Sequence, residues 1–161
     1  MALSSATWLS DLTDYIGDHI VDTLDVLSED VAVYIRRELV RPFSKPIITL
    51  ADFSDTMENS GGMNVVSDTE QGRIHYVDFY VTVNTDDRTG RGKKCDSLYS
   101  LLTTETFGKR LHDLVGEIDG LSVTVEGSGA EVGGPTGDHT WWQRSLILRT
   151  RVIVSFTSVT I

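Results

Sequence analysis

The chain has 161 residues, 40% of them hydrophobic and 24% charged, a composition typical of one folded domain rather than of a disordered tail. Twenty-four acidic residues against fourteen basic ones give a net charge of −10, which argues against a protein that binds nucleic acid through phosphate contacts. Such acidity is typical of a highly soluble surface or of a protein that works in a salt-rich milieu, as in a halophilic host.

The start of the chain, MALSSATWLSD, has neither the basic beginning nor the apolar run of a secretory signal. No window has the roughly 20 consecutive apolar residues that a membrane-spanning helix needs. We therefore expect a soluble protein that folds inside the cell and has no membrane partner.

The first predicted element is a helix over residues 5 to about 24, because apolar residues recur there at helical spacing with aspartates between them. Its apolar stripe consists of Trp8, Leu9, Leu12, Tyr15, Ile16 and Ile20. Alternation then predicts a strand at 31–39. Pro42 and Pro46 separate it from a short second strand at 47–53.

Residues 54–72 lack clean periodicity and contain Gly61 and Gly62, a pattern that predicts a long loop. The most regular strand pattern of the chain follows at 73–84, where apolar and other residues alternate strictly. The apolar side holds Val77, Phe79, Val81 and Val83, and the opposite side holds Tyr76, Asp78, Tyr80 and Thr82.

The second half begins with the turn TDDRTGRGKK and a helix opened by Asp96. The apolar stripe of this helix is Leu98, Leu101, Leu102, Leu111, Leu114 and Val115. A strand is predicted at 121–127, a glycine-rich loop at about 127–138, and a final strand from about 140 to 156. The final strand buries its even positions Leu146, Leu148, Val152, Val154 and Phe156.

These elements follow one another in the order α-β-β-β-α-β-β. Two amphipathic helices and about five strands are satisfied by one mixed or antiparallel sheet with both helices packed on it. The sequence therefore predicts an α+β fold in a single domain over residues 1–161.

Residues that could carry catalysis or hold a metal are scattered. The four histidines, His19, His75, His112 and His139, show no metal-binding spacing, and the single Cys95 excludes a site of paired thiolates. No nucleophile motif is present. The glycines at 127–134 are followed by a turn and a strand rather than by a helix that could hold a phosphate. We expect a protein that is not an enzyme and has no cofactor.

The turn after the most regular strand holds the only cationic cluster of the chain: Arg88, Arg91, Lys93 and Lys94. Its place between a strand and a helix suits a phosphate loop, but Asp87 stands where that loop needs Gly, and neither Ser nor Thr follows Gly92 and Lys93. A basic surface turn that meets an acidic protein partner is the better interpretation.

The final strand carries the remaining interface candidates, Trp141, Arg149 and Arg151. Trp141 and Trp142 lie on opposite faces of a strand, which predicts one tryptophan in the core and one at an interface rather than a sugar-stacking pair. Three environments stay open for the two arginines: a cross-strand carboxylate, an adjacent subunit, or solvent.

In the order of these segments and in their residue patterns, the chain resembles the tail terminator, or tail completion, proteins of long-tailed bacterial or archaeal viruses. The segments concerned are a short amphipathic helix, the strand VAVYIRREL, a Pro-x-Ile segment, the strand YVDFYVTVNT with a basic turn and a leucine helix, and the last strand WWQRSLILRTRVIVSF. The long segment 54–72 departs from this pattern.

The resemblance implies a structural protein of the virion, assembled in the host cytoplasm and located in the tail or neck. It implies a homohexameric ring that ends the tail tube, contacts the tail tube protein, and meets a head completion or neck protein. DNA would pass through an acidic lumen without binding. Two alternatives stay open: another head-tail connector or minor capsid protein, and a small ligand-binding or enzymatic α+β domain.

Overall fold

The computed structural model of the protein describes residues 3, 6–26, 29–39, 45–57, 64–65, 70–86, 90–103, 111, 118, 120–127, 135–136 and 139–157. These residues form two helices, α1 (Trp8–Val26) and α2 (Lys93–Thr103). They also form eight strands: β1 (Ala32–Ile35), β2 (Ile47–Met57), β3 (Asn64–Val65), β4 (Glu70–Thr85), β5 (Ser122–Gly127), β6 (Pro135–Thr136), β7 (His139–Thr140) and β8 (Trp142–Thr157).

The main sheet has the strand order β1-β2-β4-β8-β5. β1 runs parallel to β2, the other neighbours are antiparallel, and the short β3 pairs with the beginning of β4. β6 and β7 form a separate two-stranded hairpin. The mixed sheet and the two helices confirm the predicted α+β class and element order.

One side of the sheet, here called the covered face, carries the core. The side chains of Val77, Phe79, Val81 and Val83 on β4 are fully buried there. Their partners on β8 include Leu146 and Leu148, which are also fully buried. The predicted apolar sides of both long strands are therefore confirmed for the described side chains, a set that leaves out Phe156.

Both helices lie on the covered face. α1 packs over β1 and β2, and α2 packs over β4 and β8. α1 buries one residue in each turn, and this row consists of Leu12, Ile16, Ile20 and Leu24. Gly17 lies so close to Ile35 that a Cβ atom there would overlap the isoleucine side chain. α2 buries Leu98 and Leu102 of the predicted leucine stripe, whereas Leu101, which it also contains, is half-buried.

The first strand is shorter than predicted, because the chain turns sharply at Arg36, whose φ is 50°. The Arg36 backbone N–H donates to Leu50 O at 2.8 Å, and its Nε donates to Asp52 Oδ1 at 2.7 Å. Its Nη1 donates to Ser10 Oγ at 2.9 Å. Arg36 therefore joins the end of β1 to β2 and to the start of α1, and residues 36–39 do not continue the strand.

The predicted loop at 54–72 is wrong at both of its ends. Residues 54–57 continue β2, residues 70–72 begin β4, and residues 64–65 form β3. These polar segments are strands because β4 and β8 are long enough to supply backbone partners for them. In the second predicted loop, 127–138, Gly127 ends β5 and residues 135–136 belong to the hairpin. The second helix begins at Lys93 rather than at Asp96.

Leu3 lies beside the last strand. Its backbone forms a parallel bridge with Val154, and Ser155 N donates to Leu3 O at 2.8 Å. β5 pairs with β8 only as far as Arg151. Leu3 therefore occupies the next stretch of the same edge of β8. The buried Leu3 side chain closes one end of the core.

Candidate interaction face

The second side of the sheet, here called the open face, has neither α1 nor α2 on it. Its centre is set by the register of β4 with β8, which pairs Tyr80 with Ile147, Asp78 with Arg149, and Tyr76 with Arg151. Tyr76 and Tyr80 are 41% and 42% exposed, although both lie at the middle of a long central strand. Large aromatic side chains left at this exposure in the middle of a sheet are typical of a surface that binds another protein.

An aromatic pair stands at the β2 side of this face. The register between β2 and β4 shifts between Asp52 and Ser54, so Phe53 is the extra residue of a β-bulge. The bulge brings the Phe53 ring against the Tyr80 ring, with centroids 4.1 Å apart and planes at 23°. Phe53 is itself 46% exposed. The stacked pair therefore presents a rigid apolar platform.

An arginine cleft lies beside the aromatic pair, towards β5. It is a shallow concavity of about 310 Å³ lined by Tyr76, Asp78, Ser122, Thr124, Arg149, Thr150 and Arg151. Two arginines, several hydroxyl residues and one carboxylate residue, Asp78, surround one space. The two guanidinium groups suit a carboxylate or a phosphate, and Asp78 offsets part of their charge. The sequence left three environments possible for Arg149, and the structure shows the cross-strand carboxylate. Glu126 Oε2 lies 3.3 Å from Arg149 Nε. Both side chains of this pair are about half exposed, so it adds little stability.

The centre of the open face carries little net charge. Between Tyr76 and Tyr80 and along their β8 and β5 partners, the carboxylates Asp78 and Glu126 are balanced by Arg149 and Arg151. The chain as a whole carries −10. Its excess negative charge therefore lies elsewhere, and this patch is enriched in Tyr, Phe and Arg as the centres of protein interfaces are.

The outward side of α1 is strongly acidic. It carries five exposed aspartates at helical spacing, which we call the aspartate stripe: Asp11, Asp14, Asp18, Asp22 and Asp25. The helix contains no lysine or arginine. At 100° per residue the centre of the stripe lies about 180° from the buried row of α1, so the stripe points away from the sheet.

The predicted basic turn lies at the start of α2. Arg91 and Lys93 are exposed, whereas Lys94 forms an ion pair with Glu29, which follows α1. Lys94 therefore helps to hold the two helices together rather than projecting freely. Arg88 lies outside the described residues.

The structure does not bring all predicted site residues together. Arg149 and Arg151 share the arginine cleft, but Gly92 of the basic turn packs against the Trp142 ring at the far end of β8. Seven residues of extended strand separate Trp142 from Arg149, a distance of about 24 Å. Trp141 is half-buried at that same far end.

The sequence missed three residues of the candidate site: Phe53, Tyr76 and Tyr80. The tyrosines gave a signal, since aromatic residues on the polar side of the most regular strand are unusual for a solvated surface. The contribution of Phe53 had no such signal, because it depends on the bulge in β2.

Other chemistry in the described part of the chain is structural. Burial raises the pKa of the Cys95 thiol to about 11, which makes it a poor nucleophile. His75 Nδ1 donates to the carboxylate oxygen Asp55 Oδ1 at 2.8 Å, and the His75 ring contacts Trp8. Among the described residues, no three His, Cys, Asp or Glu side chains converge on a possible metal position. Neither α1 nor α2 is long and apolar enough to span a membrane.

No protein-family model matches the chain, and no curated protein matches it in sequence. Function is therefore inferred from the sequence pattern and from the geometry of the open face.

Proposed function

We propose that this protein is a tail terminator of a long-tailed bacterial or archaeal virus. In this role it forms a homohexameric ring that caps the tail tube and joins the tail to the neck. The observation that carries the proposal is the open face, where exposed aromatic residues and arginines occupy the centre of the sheet. The role is structural and needs neither a catalytic group nor a cofactor.

The composition of the open face supports assembly. Tyrosine, phenylalanine and arginine are enriched where protein interfaces are most deeply buried, and unbalanced charge is depleted there. The face that α1 and α2 leave uncovered has this composition, and the aspartate stripe lies on the opposite side of the molecule. A subunit with two different contact surfaces forms a closed ring or an open filament, and a terminator requires the ring.

The acidity of the chain suits a conduit for DNA. Six chains of −10 each carry about −60, and a lumen of that sign repels the phosphate backbone. DNA would then pass the ring without specific binding.

The decisive experiment combines mass and location. Native mass spectrometry and negative-stain microscopy of the purified protein are expected to give a ring of six, and labelled protein is expected at the head-proximal end of the tail. A virus that lacks the protein should make overlong tail tubes and unattached heads. A monomer at every concentration, or a protein absent from tails, would overturn the proposal.

The basic turn is proposed to contact an acidic tail tube or neck subunit. Because Lys94 pairs with Glu29, the variant that tests this contact replaces Arg88, Arg91 and Lys93 with Ser and keeps Lys94. Each exposed ion pair contributes only about 0.2–1 kcal/mol, but a ring repeats it. We expect weaker tail joining with an unchanged ring, and a larger loss at low salt. Normal joining at all salt concentrations would leave the turn as a solvated loop.

The arginine cleft favours one candidate of a different class, a small domain that binds an anionic ligand. Its volume of about 310 Å³ and its guanidinium and hydroxyl lining suit a small carboxylate or phosphate. Titration calorimetry with citrate and inorganic phosphate distinguishes the two. Tight binding by a monomer supports the ligand-binding domain, and no binding by a ring-forming protein supports the terminator.

A further inference from the structure

The two outer surfaces of the molecule have complementary chemistry. The aspartate stripe of α1 points away from the sheet on one side, and the arginine cleft opens on the other. Val21 lies beside Asp18 and Asp22 on the outward side of α1 and is 38% exposed. The stripe thus has an apolar neighbour, as the arginine cleft has the Phe53–Tyr80 pair.

The stripe is unfavourable for an isolated helix. Asp14, Asp18 and Asp22 follow one another at i, i+4 spacing, and like charges at this spacing repel. α1 contains no lysine or arginine that could offset the repulsion. Cations supplied from outside the helix would relieve it.

The spacing of the charged groups also matches. Asp18 and Asp22 are four residues apart on a helix, a rise of about 6 Å. Arg149 and Arg151 are two residues apart on one face of a strand, a rise of about 6.8 Å. Two carboxylates of the stripe can therefore face the two guanidinium groups of the cleft at the same time.

We propose that the open face of one copy of this chain binds the outward side of α1 of a second copy. Asp18 and Asp22 of the second copy pair with Arg149 and Arg151 of the first, and Val21 packs against the Phe53–Tyr80 pair. The contact joins two different surfaces, so each copy uses both and the assembly continues until it closes. This inference rests on the ring in the proposed function and is independent of the tail.

The test reverses the charges on each surface separately. One variant carries Arg149→Glu with Arg151→Glu, and the other carries Asp18→Lys with Asp22→Lys. Each alone places like charges at the contact, so we expect self-association to weaken at least about 100-fold in sedimentation velocity. All four residues lie on partly or fully exposed surface, so circular dichroism should show both variants folded.

Mixing the two variants is the informative step. In an equal mixture, the glutamates of one variant face the lysines of the other, and the wild-type arginines face the wild-type aspartates. An alternating assembly is expected to form at close to wild-type concentration, as is the assembly of one chain that carries all four changes.

The matched control for the aspartate variant is Asp30→Lys with Glu38→Lys, which changes the net charge by the same +4 at exposed positions outside α1 and outside the arginine cleft. It should assemble like the wild type. If the reversed arginine variant is poorly folded, Arg149→Gln with Arg151→Gln replaces it, with an expected weakening of about tenfold.

Two results would overturn the inference. Either folded single-surface variants assemble like the wild type, or the mixture stays dissociated although both variants are folded. A wild-type protein that is always monomeric would overturn the ring as well. Wild-type rings that respond to charge reversal but are absent from tails would support this interface and overturn only the tail assignment.

Discussion

The two faces of the sheet follow different rules, and β4 shows the difference between consecutive residues. Phe79 on the covered face is fully buried, whereas Tyr80 on the open face is 42% exposed. Hydrophobic burial fixes the covered face, because α1 and α2 exclude water from it. The open face keeps aromatic residues that this chain alone does not bury, so we expect them to contribute less to folding than the buried residues of the covered face. Five measurements can break or sharpen this comparison.

The largest expected difference is between Phe79→Ala and Tyr80→Ala. Removing the buried ring leaves a cavity and should reduce the free energy of unfolding by about 3–5 kcal/mol. Removing the exposed ring mainly loses the stack with Phe53, which contributes about 1 kcal/mol. Urea denaturation of the two variants measures both values. Equal losses would show that the open face is part of the folding core.

The thiol of Cys95 reports on the covered face without a mutation. Burial raises its pKa from 9.0 to about 11, a change of two pH units that lowers the thiolate population on the order of 100-fold at pH 8. Alkylation by iodoacetamide should therefore be slower by at least that factor in native protein than in urea.

The same shift predicts how stability depends on pH. Because the folded state holds the proton more tightly, the contribution of Cys95 is fully present below pH 9 and is lost as the pH rises through about 11. The variant Cys95→Ala should lack this alkaline component. In the alkylation experiment, a fast reaction of the native protein at pH 8 would mean that α2 does not exclude water from Cys95.

The junction between the basic turn and α2 comes next in size. Gly92 has a φ of 79°, and a Cβ atom there would lie 2.8 Å from a ring carbon of Trp142. Gly92→Ala should therefore cost about 2 kcal/mol through backbone strain and crowding. Thermal denaturation measures this loss of stability. Gly127→Ala is the control, because its Cβ would meet only the movable Tyr99 hydroxyl; an equal loss there would contradict the explanation.

The smallest expected effects concern ion pairs. Glu126→Gln removes the carboxylate that pairs with Arg149 on the open face, and Glu29→Gln removes the partner of Lys94 between the helices. We expect about 0.3 kcal/mol or less for the first and up to about 1 kcal/mol for the second, since Glu29 is less exposed. Denaturation of both variants at low and high salt compares the two losses in the free energy of unfolding. A greater loss at Glu126 would assign the open face a structural role.

The covered face was predictable from the sequence because its signal is periodic. Alternation identified Val77 to Val83 on β4 and Leu146 to Val154 on β8, and the helical stripe identified Leu12, Ile16 and Ile20. Burial of apolar side chains produces these periods, so a single sequence carries them.

The ends of the elements were harder to predict. β2 continues to Met57 through polar residues because β4 is there to pair with it, and β1 stops at Arg36 because of a single left-handed residue. Both depend on neighbours that are distant in sequence. The candidate site has the same limitation: Arg149 and Arg151 were identified by their alternation, but the Phe53 bulge that completes the face was not.

The position of β8 has a consequence for how the protein is made. β8 lies inside the sheet, between β4 and β5, although it is the last strand in sequence that the structure describes. On the ribosome, β4 is complete when Thr85 is added, and its partner β8 is complete 72 residues later, at Thr157. At 5–20 residues per second, an unpaired strand edge stays exposed for roughly 4–14 s in each nascent chain. Assembly of the core therefore waits for synthesis of β8, and contacts of such long range slow it further.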